Sequence, residues 1–327
     1  MSKATVKKGN KKQEVEINDL IFKELIKRGY SLEGNTRIWD IADSKLWYLT
    51  PEQSQAYLDL EDSENYEKGI ASEEYHLIEN NIQDILEKVG KGPLNVVDLG
   101  CGDGRKAAHF AKHLKKKMEI RYCPIDISGY MVEKAIETFQ NLDVEEIIKF
   151  KYNISDFENL ENITPLLRKG EFKENLFLFL GYTVGNFEIN ELLYEIRSAM
   201  KDGEILIITF GLGNHKWHER AASAKHDKYT DRFLKHTIKQ LALAEDEIEF
   251  GSRYRNSRIE FYYTIKKDKT IEFQNKKIHF QSGDQVIVAV AYKHDKNDLL
   301  HILNMYFKEV DLKISKDKST SLAICKK

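Results

Sequence analysis

The sequence predicts an α/β protein with a doubly wound parallel sheet and a second, smaller α+β substrate domain. After Pro93, five short apolar runs alternate with amphipathic helical segments, and each run is apolar almost throughout. Strands covered by helices on both faces have this pattern. Between residues 259 and 292 the apolar positions change to period two, which is typical of antiparallel strands. The length of 327 residues favours two domains.

The individual elements follow from hydrophobic periodicity and from capping residues. Residues 1–12 are basic and polar, and we expect a flexible tail there. A nucleic-acid-binding arm is the alternative for this segment. The predicted helices cover residues 14–28, 72–89, 224–244 and 298–307, and the predicted strands cover 95–99, 120–125, 147–152, 176–180, 205–210, 259–264, 271–273, 278–280, 286–292, 309–314 and 321–324.

Composition excludes several classes of protein. Fifty-one Lys and Arg residues stand against 53 Asp and Glu residues, so the net charge of −2 gives no polycationic field for nucleic acid or anionic lipid. Cys101, Cys123 and Cys325 are widely separated, which argues against a disulfide framework and a structural zinc site and favours a reducing compartment. Because no apolar run reaches about 18 residues, we expect no membrane span and a cytoplasmic protein.

A glycine-rich turn follows the first apolar run. The segment from Val96 to Gly104 reads VVDLGCGDG and joins a buried strand to a helix that begins near Arg105. Glycines there let the backbone approach a ligand at the carboxyl end of the strand, where open α/β sheets bind. The segment lacks the Lys-Ser/Thr of a phosphate-binding loop. It therefore predicts a nucleotide-type pocket, with a purely structural turn as the alternative.

The next two strands each end in an acidic residue. Asp126 closes the string YCPID, and a carboxylate at that place can accept both hydroxyls of a ribose. Its alternative role, capping the next helix, is better filled by Ser128. After the third strand, Asp156 and Phe157 could accept from an adenine amine and cover the adenine face.

The fourth strand ends in the string FLGYTVGNF. Gly181, a threonine hydroxyl, Gly185 and the carboxamide of Asn186 crowd together at this strand end. Such groups are costly as packing but suit polar contacts to a small substrate. The string therefore predicts a substrate contact beside the glycine turn.

Taken together, the strings DLGCGDGRK, YCPIDIS, SDFE and LFLFLGYTVGNF resemble class I S-adenosylmethionine-dependent methyltransferases. More narrowly, the chain is similar to the histidine-specific N-alpha-methyltransferase family of ergothioneine biosynthesis, over most of its length after residue 40. The resemblance implies S-adenosylmethionine as the cofactor, S-adenosylhomocysteine as its product, and no metal. It also implies a cofactor-binding domain of residues 75–212 and 294–327, and a substrate-recognition domain of residues 13–74 and 213–293. We expect a monomer.

The resemblance assigns a role to each site residue. Gly100, Gly102 and Lys106 would line the methionine side of the cofactor, while Asp126 would bind the ribose. Asn186 would hold the substrate beside the methyl donor. The remaining expected cofactor contacts are Asp98 and Gly181 at strand ends and Asp156 and Phe157 around the adenine.

The substrate side departs from the family pattern. Tyr66, which we expect to be a catalytic-site residue with Asn186, and Tyr48 are candidate substrate contacts from the amino-terminal region. Family members that methylate histidine carry a glutamate and a serine where this chain has Ala289 and Ala291. Residues two apart on a strand share a face, so we expect a wider, apolar wall there. This favours an amine substrate other than histidine.

The predicted reaction is transfer of the sulfonium methyl to the nitrogen of a small amino acid or amino-acid-derived amine. Three alternatives stay open at this point. They are histidine N-alpha-methylation itself, methylation of a protein or nucleic acid, and cofactor binding without catalysis. The balanced charge disfavours a nucleic-acid substrate, whereas the lysine-rich tail at residues 1–12 is the feature that favours one.

Overall fold

A computed structural model describes residues 18–64, 72–213 and 217–327, without the side chains of residues 217, 218 and 220. The predicted basic tail and Tyr66 lie outside the described residues. The helix expected at 14–28 is described from Asp19, where the Asn18 side chain accepts hydrogen bonds from the backbone of Leu20 and Ile21. The helices are α1 (Asp19–Arg28), α2 (Pro51–Glu61), α3 (Ser72–Lys88), α4 (Arg105–Leu114), α5 (Gly129–Gln140), α6 (Leu160–Leu167), α7 (Ile189–Ala199), α8 (Trp217–Ala224), α9 (Lys228–Lys239) and α10 (Lys296–Tyr306).

The strands of the described residues form a large sheet, a smaller sheet and a separate hairpin. They are β1 (Ser31–Glu33), β2 (Thr36–Asp40), β3 (Leu94–Leu99), β4 (Ile120–Ile125), β5 (Glu146–Ile147), β6 (Glu174–Phe179), β7 (Ile205–Gly211), β8 (Ile248–Arg255), β9 (Arg258–Ile265), β10 (Lys269–Phe273), β11 (Lys276–Phe280), β12 (Gln285–Tyr292), β13 (Glu309–Ile314) and β14 (Thr320–Lys326).

The large sheet confirms the predicted doubly wound α/β architecture. Within the described parts of the chain it has seven strands in the order β13-β14-β7-β6-β3-β4-β5. The five strands β3 to β7 are parallel to one another. Strand β14 is antiparallel to both of its neighbours, β13 and β7. Because the order reverses between β3 and β6, the carboxyl ends of these strands open a crevice where ligands of such sheets bind.

Both faces of the large sheet are covered by helices. Val96 packs in one core with α3, α4 and α5, and its neighbour Val97 packs in another core with α6, α7 and α10. Successive residues of a strand point to opposite faces, so an uninterrupted apolar run is what this double burial requires.

The smaller sheet joins the amino-terminal region to the insertion after β7. Its order within the described residues is β1-β2-β12-β9-β8, with β2 parallel to β12 and the other pairs antiparallel. A third core, which includes Trp39, Phe233 and Tyr263, lies against it. The division into two domains at the stated boundaries stays a prediction.

Several predicted elements were wrong in extent. The strand expected at 147–152 is only Glu146–Ile147, and residues Lys151–Asn153 form a 3₁₀ turn. The Asn153 side chain causes this, since its amide donates to the carbonyls of Pro124 at 2.7 Å and Ile148 at 3.1 Å in place of a strand ladder. The helix expected at 224–244 is confined to α9, and β1, β2 and β8 were not predicted.

Candidate functional site

A cavity of about 740 Å³ lies at the carboxyl edge of the large sheet. This volume is within the range of about 300–1,000 Å³ that small-molecule sites occupy. The structure brings most of the predicted site residues together in its lining. These residues are Tyr48, Asp98, Gly100, Gly102, Lys106, Asp126, Asp156, Phe157, Gly181 and Asn186.

The glycine turn after β3 forms the floor of the cavity. Gly100 has φ 62° and Gly102 has φ 52°, a left-handed conformation that glycine adopts without strain. The Gly100 amide donates to the carbonyl of Ile125 at 2.8 Å, which holds the turn against the end of β4. Farther along, a Cβ on Gly104 would lie 2.9 Å from the Cα of Ala135, so α4 and α5 approach too closely there for a side chain.

Asp126 lies directly after β4 and faces this turn. Its Oδ2 accepts from the Gly102 amide at 3.2 Å, and its Oδ1 accepts from the Ser128 amide at 2.9 Å. The side chain is buried, and burial raises the pKa of Asp126 to about 6. Ser128 itself caps α5, as the sequence predicted, because its hydroxyl accepts from the backbone of Met131. The Asp126 carboxylate is therefore held in place by backbone groups and is not paired with a cation among the described residues.

Asp98, at the end of β3, is a second buried carboxyl of the cavity wall. The phenol of Tyr122 donates to its Oδ2 at 2.7 Å. Burial raises the pKa of Asp98 to about 7, despite that hydrogen bond, and the nearby charge of Asp126 adds to the effect.

Asp156 and Phe157, which are consecutive in the chain, line the same cavity as Asp126. Phe157 packs edge-on against Phe179 with ring centroids 5.3 Å apart, which leaves the ring half-buried at the cavity. The carboxylate of Asp156 forms an ion pair with Lys45 at 3.1 Å, and Lys45 also contacts Glu158 at 3.0 Å. Lys45 thus attaches the amino-terminal region to this part of the site, a contact that the sequence did not predict.

The end of β6 supplies Gly181 and Asn186. Gly181 has φ 81°, and a Cβ there would lie 3.3 Å from Nζ of Lys106. Its amide donates to Oε1 of the buried Glu74 at 2.6 Å. Tyr182 is also left-handed, with φ 59°, so the backbone of this turn is held in a conformation unusual for a tyrosine. Asn186 is half-buried at the end of the following 3₁₀ turn, and no hydrogen bond to its carboxamide is formed by the described residues.

Lys106 links three elements at the cavity. Its ammonium is 2.5 Å from Oε1 of Glu61, the last residue of α2, and both side chains are largely buried. Burial raises the pKa of Glu74, and this effect outweighs the opposite effect of the nearby Lys106 charge. The sequence did not predict that Glu61 or Glu74 would lie beside Lys106.

Tyr48 and Tyr57 line the cavity from the amino-terminal region. Their rings meet edge-on at 5.5 Å, and both rest on Phe233 of α9. Tyr57 was not predicted. An aromatic residue on a helix is most often a core residue. Only the position of Tyr57 beside Glu61, which follows one turn later on α2, would have indicated the site.

Ala289 and Ala291 are not among the described residues that line the cavity, so the apolar substrate wall predicted there is not observed. Ala289 is 3% exposed and belongs to the core under the smaller sheet. Ala291 pairs with Ile259 and packs against Ala221. The two residues were expected at the site by their place on the strand, but the inner face of β12 is covered by core residues.

The cavity has a negative lining. Among its described residues, acidic side chains outnumber basic ones. Glu188 caps the start of α7, and Glu191 and Glu195 lie on that helix. Asp43 and Glu158 are further acidic residues of the lining. Such a lining attracts cations, including a protonated amine or a sulfonium group.

A family model matches most of the chain. The family model described as histidine-specific methyltransferase, SAM-dependent (SAM denotes S-adenosylmethionine), matches residues 59–326. No protein of the curated set matches. No helix of the described residues is both long and apolar enough to cross a membrane.

Solved structures that are similar include a SAM-dependent methyltransferase from Clostridium acetobutylicum ATCC 824, with 12% identity, a TM-score of 0.45, and coverage of 83% of this chain and 98% of that one. The PH0226 protein from Pyrococcus horikoshii OT3 has 16% identity and a TM-score of 0.41, covering 81% and 93% of the two chains. The sugar N-methyltransferase KedS8 from Streptoalloteichus sp. ATCC 53650 has 10% identity and a TM-score of 0.38, covering 83% and 93%.

Proposed function

Because the chain belongs to the family of histidine-specific, S-adenosylmethionine-dependent methyltransferases, we propose that it methylates the nitrogen of a small amino acid or amino-acid-derived amine. The observation that carries the proposal is the convergence on one cavity of Asp126, the glycine turn and Asn186, whose carboxamide has no hydrogen-bond partner among the described residues. Methyl transfer requires that the methyl donor and a small methyl acceptor occupy one cavity together.

The residues at the sheet edge fit S-adenosylmethionine. Asp126 is a buried carboxylate whose free lone pairs can accept the two ribose hydroxyls, while its backbone contacts fix its position. Phe157 would cover an adenine face, and Asp156 would accept from the adenine amine. Asp98 and Gly181 would supply further cofactor contacts, and Gly100, Gly102 and Lys106 would line its methionine portion; all of these residues line the cavity.

The bound cofactor supplies an electrophilic sulfonium methyl, and the residues of this chain position the acceptor. Asn186 can donate to or accept from an amino-acid substrate, because its carboxamide has both kinds of group and no partner among the described residues. Tyr48 and Tyr57 close the opposite wall, and Tyr66 is a further proposed contact outside the described residues. In-line methyl transfer depends mainly on alignment, and positioning can remove as much as about 7–11 kcal/mol of a barrier.

The acidic lining favours an amine as the acceptor. Carboxylates at the opening, such as Glu188 and Glu191, raise the local concentration of a protonated amine. The amine must then lose its proton before it attacks. The prediction that histidine is not the acceptor rested on Ala289 and Ala291. Since neither is among the described lining residues, histidine belongs among the acceptors to be tested.

The test is an assay with methyl-labelled S-adenosylmethionine and a panel of amino acids and amines that includes histidine, tryptophan and aliphatic amines. We expect labelled N-methyl product from at least one of them. Asn186→Ala should raise the KM for that acceptor at least tenfold, with little change in cofactor affinity. Asn141→Ala, at an exposed asparagine outside the cavity lining, is the matched control. Label found only in added protein or nucleic acid would contradict the proposal.

Two further proposals concern the state of the protein. We propose a monomer. We also propose a reducing cytoplasm, since all three cysteines are free and buried. Burial raises the pKa of Cys101, which keeps the thiol protonated and less reactive. Light scattering of the purified chain should give a mass near 38.1 kDa, and twice that mass would contradict the monomer.

A further inference from the structure

Two histidines and a glutamate converge on the outer surface of the helices that flank the cavity. His109 and His113 lie one turn apart on α4, so their side chains project from the same face of that helix. Glu79 faces them from α3. One ligand atom from each of the three residues lies within 4.8 Å of the other two.

The carboxylate of Glu79 contacts both imidazoles through the same oxygen atom. Oε1 of Glu79 is 2.6 Å from Nε2 of His109 and 3.2 Å from Nε2 of His113. Although the first distance is short, Nε2 of His109 is a buried atom without a hydrogen-bond partner in the part of the chain that the structure describes. A buried ring nitrogen that points at a carboxylate without bonding to it is left unsatisfied in the chain alone.

An aromatic neighbour orients the imidazole of His109. Its ring meets the ring of Tyr75 edge-on at 5.2 Å. A neutral imidazole with a free lone pair is the form that binds a metal.

We propose that Glu79, His109 and His113 form a zinc site that connects α3 to α4. Two imidazoles four residues apart on a helix, together with one carboxylate, are a common zinc ligand set, and imidazole favours Zn²⁺ over Mg²⁺ or Ca²⁺. The three side chains are 24–43% exposed, so the ion can enter from solvent and water can complete its coordination.

The site lies on the helices that support the cavity. From α3, Glu74 holds the Gly181 turn, and from α4, Lys106 contacts Glu61. A metal ion joining Glu79 to His109 and His113 fixes the two helices relative to each other one turn farther along. The site is therefore structural, and it takes no part in the methyl transfer. The sequence predicted no metal site. The His-x-x-x-His spacing in α4 is the feature that could have indicated one.

The test uses the full chain without a histidine tag, stripped with EDTA and titrated calorimetrically with ZnCl₂. We expect one site with a Kd in the micromolar range or below, and at least tenfold weaker binding in Glu79→Gln and in His113→Ala. His301→Ala, an exposed histidine of α10, is the matched control and should bind as the unaltered chain does. MgCl₂ should give no binding.

A second measurement keeps the proposal open to refutation if a variant folds poorly. Zn²⁺ that binds the folded chain raises its Tm, and the rise should be absent in His109→Ala/His113→Ala, whose fold is checked by circular dichroism. Absence of zinc binding in the unaltered chain would overturn the proposal. An equal Tm rise in the double variant, or wild-type affinity in both single variants, would overturn it as well, because the ion would then bind elsewhere.

Discussion

The ends of β3 and β4 and the strand β12 differ in how they relate to the cavity. At the first place, the glycine turn and Asp126 lie within a few residues of their strands and point directly into the cavity. At the second, Ala289 was expected at the substrate wall but lies in the core beneath the smaller sheet. Side chains at the carboxyl edge of a parallel sheet can therefore be assigned to the site from the sequence, because ligands bind at that edge.

The substrate side depends instead on contacts between distant parts of the chain. Glu61 reaches Lys106 across 45 residues, and Lys45 reaches Asp156 across more than 100. No local pattern marks either pair. Which face of β12 is covered likewise depends on helix α9 and on the amino-terminal residues that pack against it. Cofactor affinity and stability of substituted chains can test this contrast.

Replacing Asp126 with alanine should weaken binding of S-adenosylhomocysteine about 100-fold. Two charge-assisted hydrogen bonds to the ribose, at about 1.5 kcal/mol each, correspond to that factor. Calorimetry measures it. Asp143→Ala, a fully exposed aspartate, should leave affinity unchanged. Equal affinity in the Asp126 variant and the unaltered chain would remove the sheet edge as the cofactor site.

Acidification should weaken the same binding about tenfold between pH 7.5 and pH 5. Burial raises the pKa of Asp126 to about 6, so the free protein takes up a proton there as the pH falls through 6. The ribose hydroxyls donate to the ionised form, and protonation therefore competes with the ligand. In Asp126→Asn the binding should be weak and its pH dependence shallower. A slope that is undiminished in this variant would assign the titration to another group, such as Asp98.

Replacing Lys106 with methionine should weaken cofactor binding about fivefold to tenfold. The change removes the ammonium beside Gly181 and leaves Glu61 buried without its partner. Arg105→Met is the matched control, since Arg105 pairs with Asp62 at an exposed surface, where such pairs are worth little. If both variants bound alike, the proposed role of Lys106 would be wrong.

Replacing Ala289 with leucine should leave cofactor affinity unchanged and lower the free energy of unfolding by about 1–3 kcal/mol. The added atoms enter a packed core, and overpacking has a cost of this size. Ala291→Leu should destabilise less, because Ala291 is only half-buried. Urea unfolding measures both effects. A stable Ala289→Leu chain with altered acceptor preference would instead return this position to the substrate wall.

The sequence predicted the large sheet more accurately than the smaller one for a physical reason. Strands such as β3 and β4 are buried on both faces and stand out as apolar runs, whereas β1 is three residues long and mostly exposed. In the site, Asp126 and Phe157 follow directly from strand ends. Tyr57 and Glu61 could not be predicted, because their position at the cavity is set by how α2 packs in three dimensions.

The most direct test of the proposed cofactor site is a crystal structure of the chain with S-adenosylhomocysteine. We expect both ribose hydroxyls to lie within hydrogen-bond distance, about 2.5–3.0 Å, of the Asp126 carboxylate, with the adenine against Phe157. A nucleoside bound away from the ends of β3 and β4, with Asp126 contacting only the backbone of Gly102 and Ser128, would contradict it.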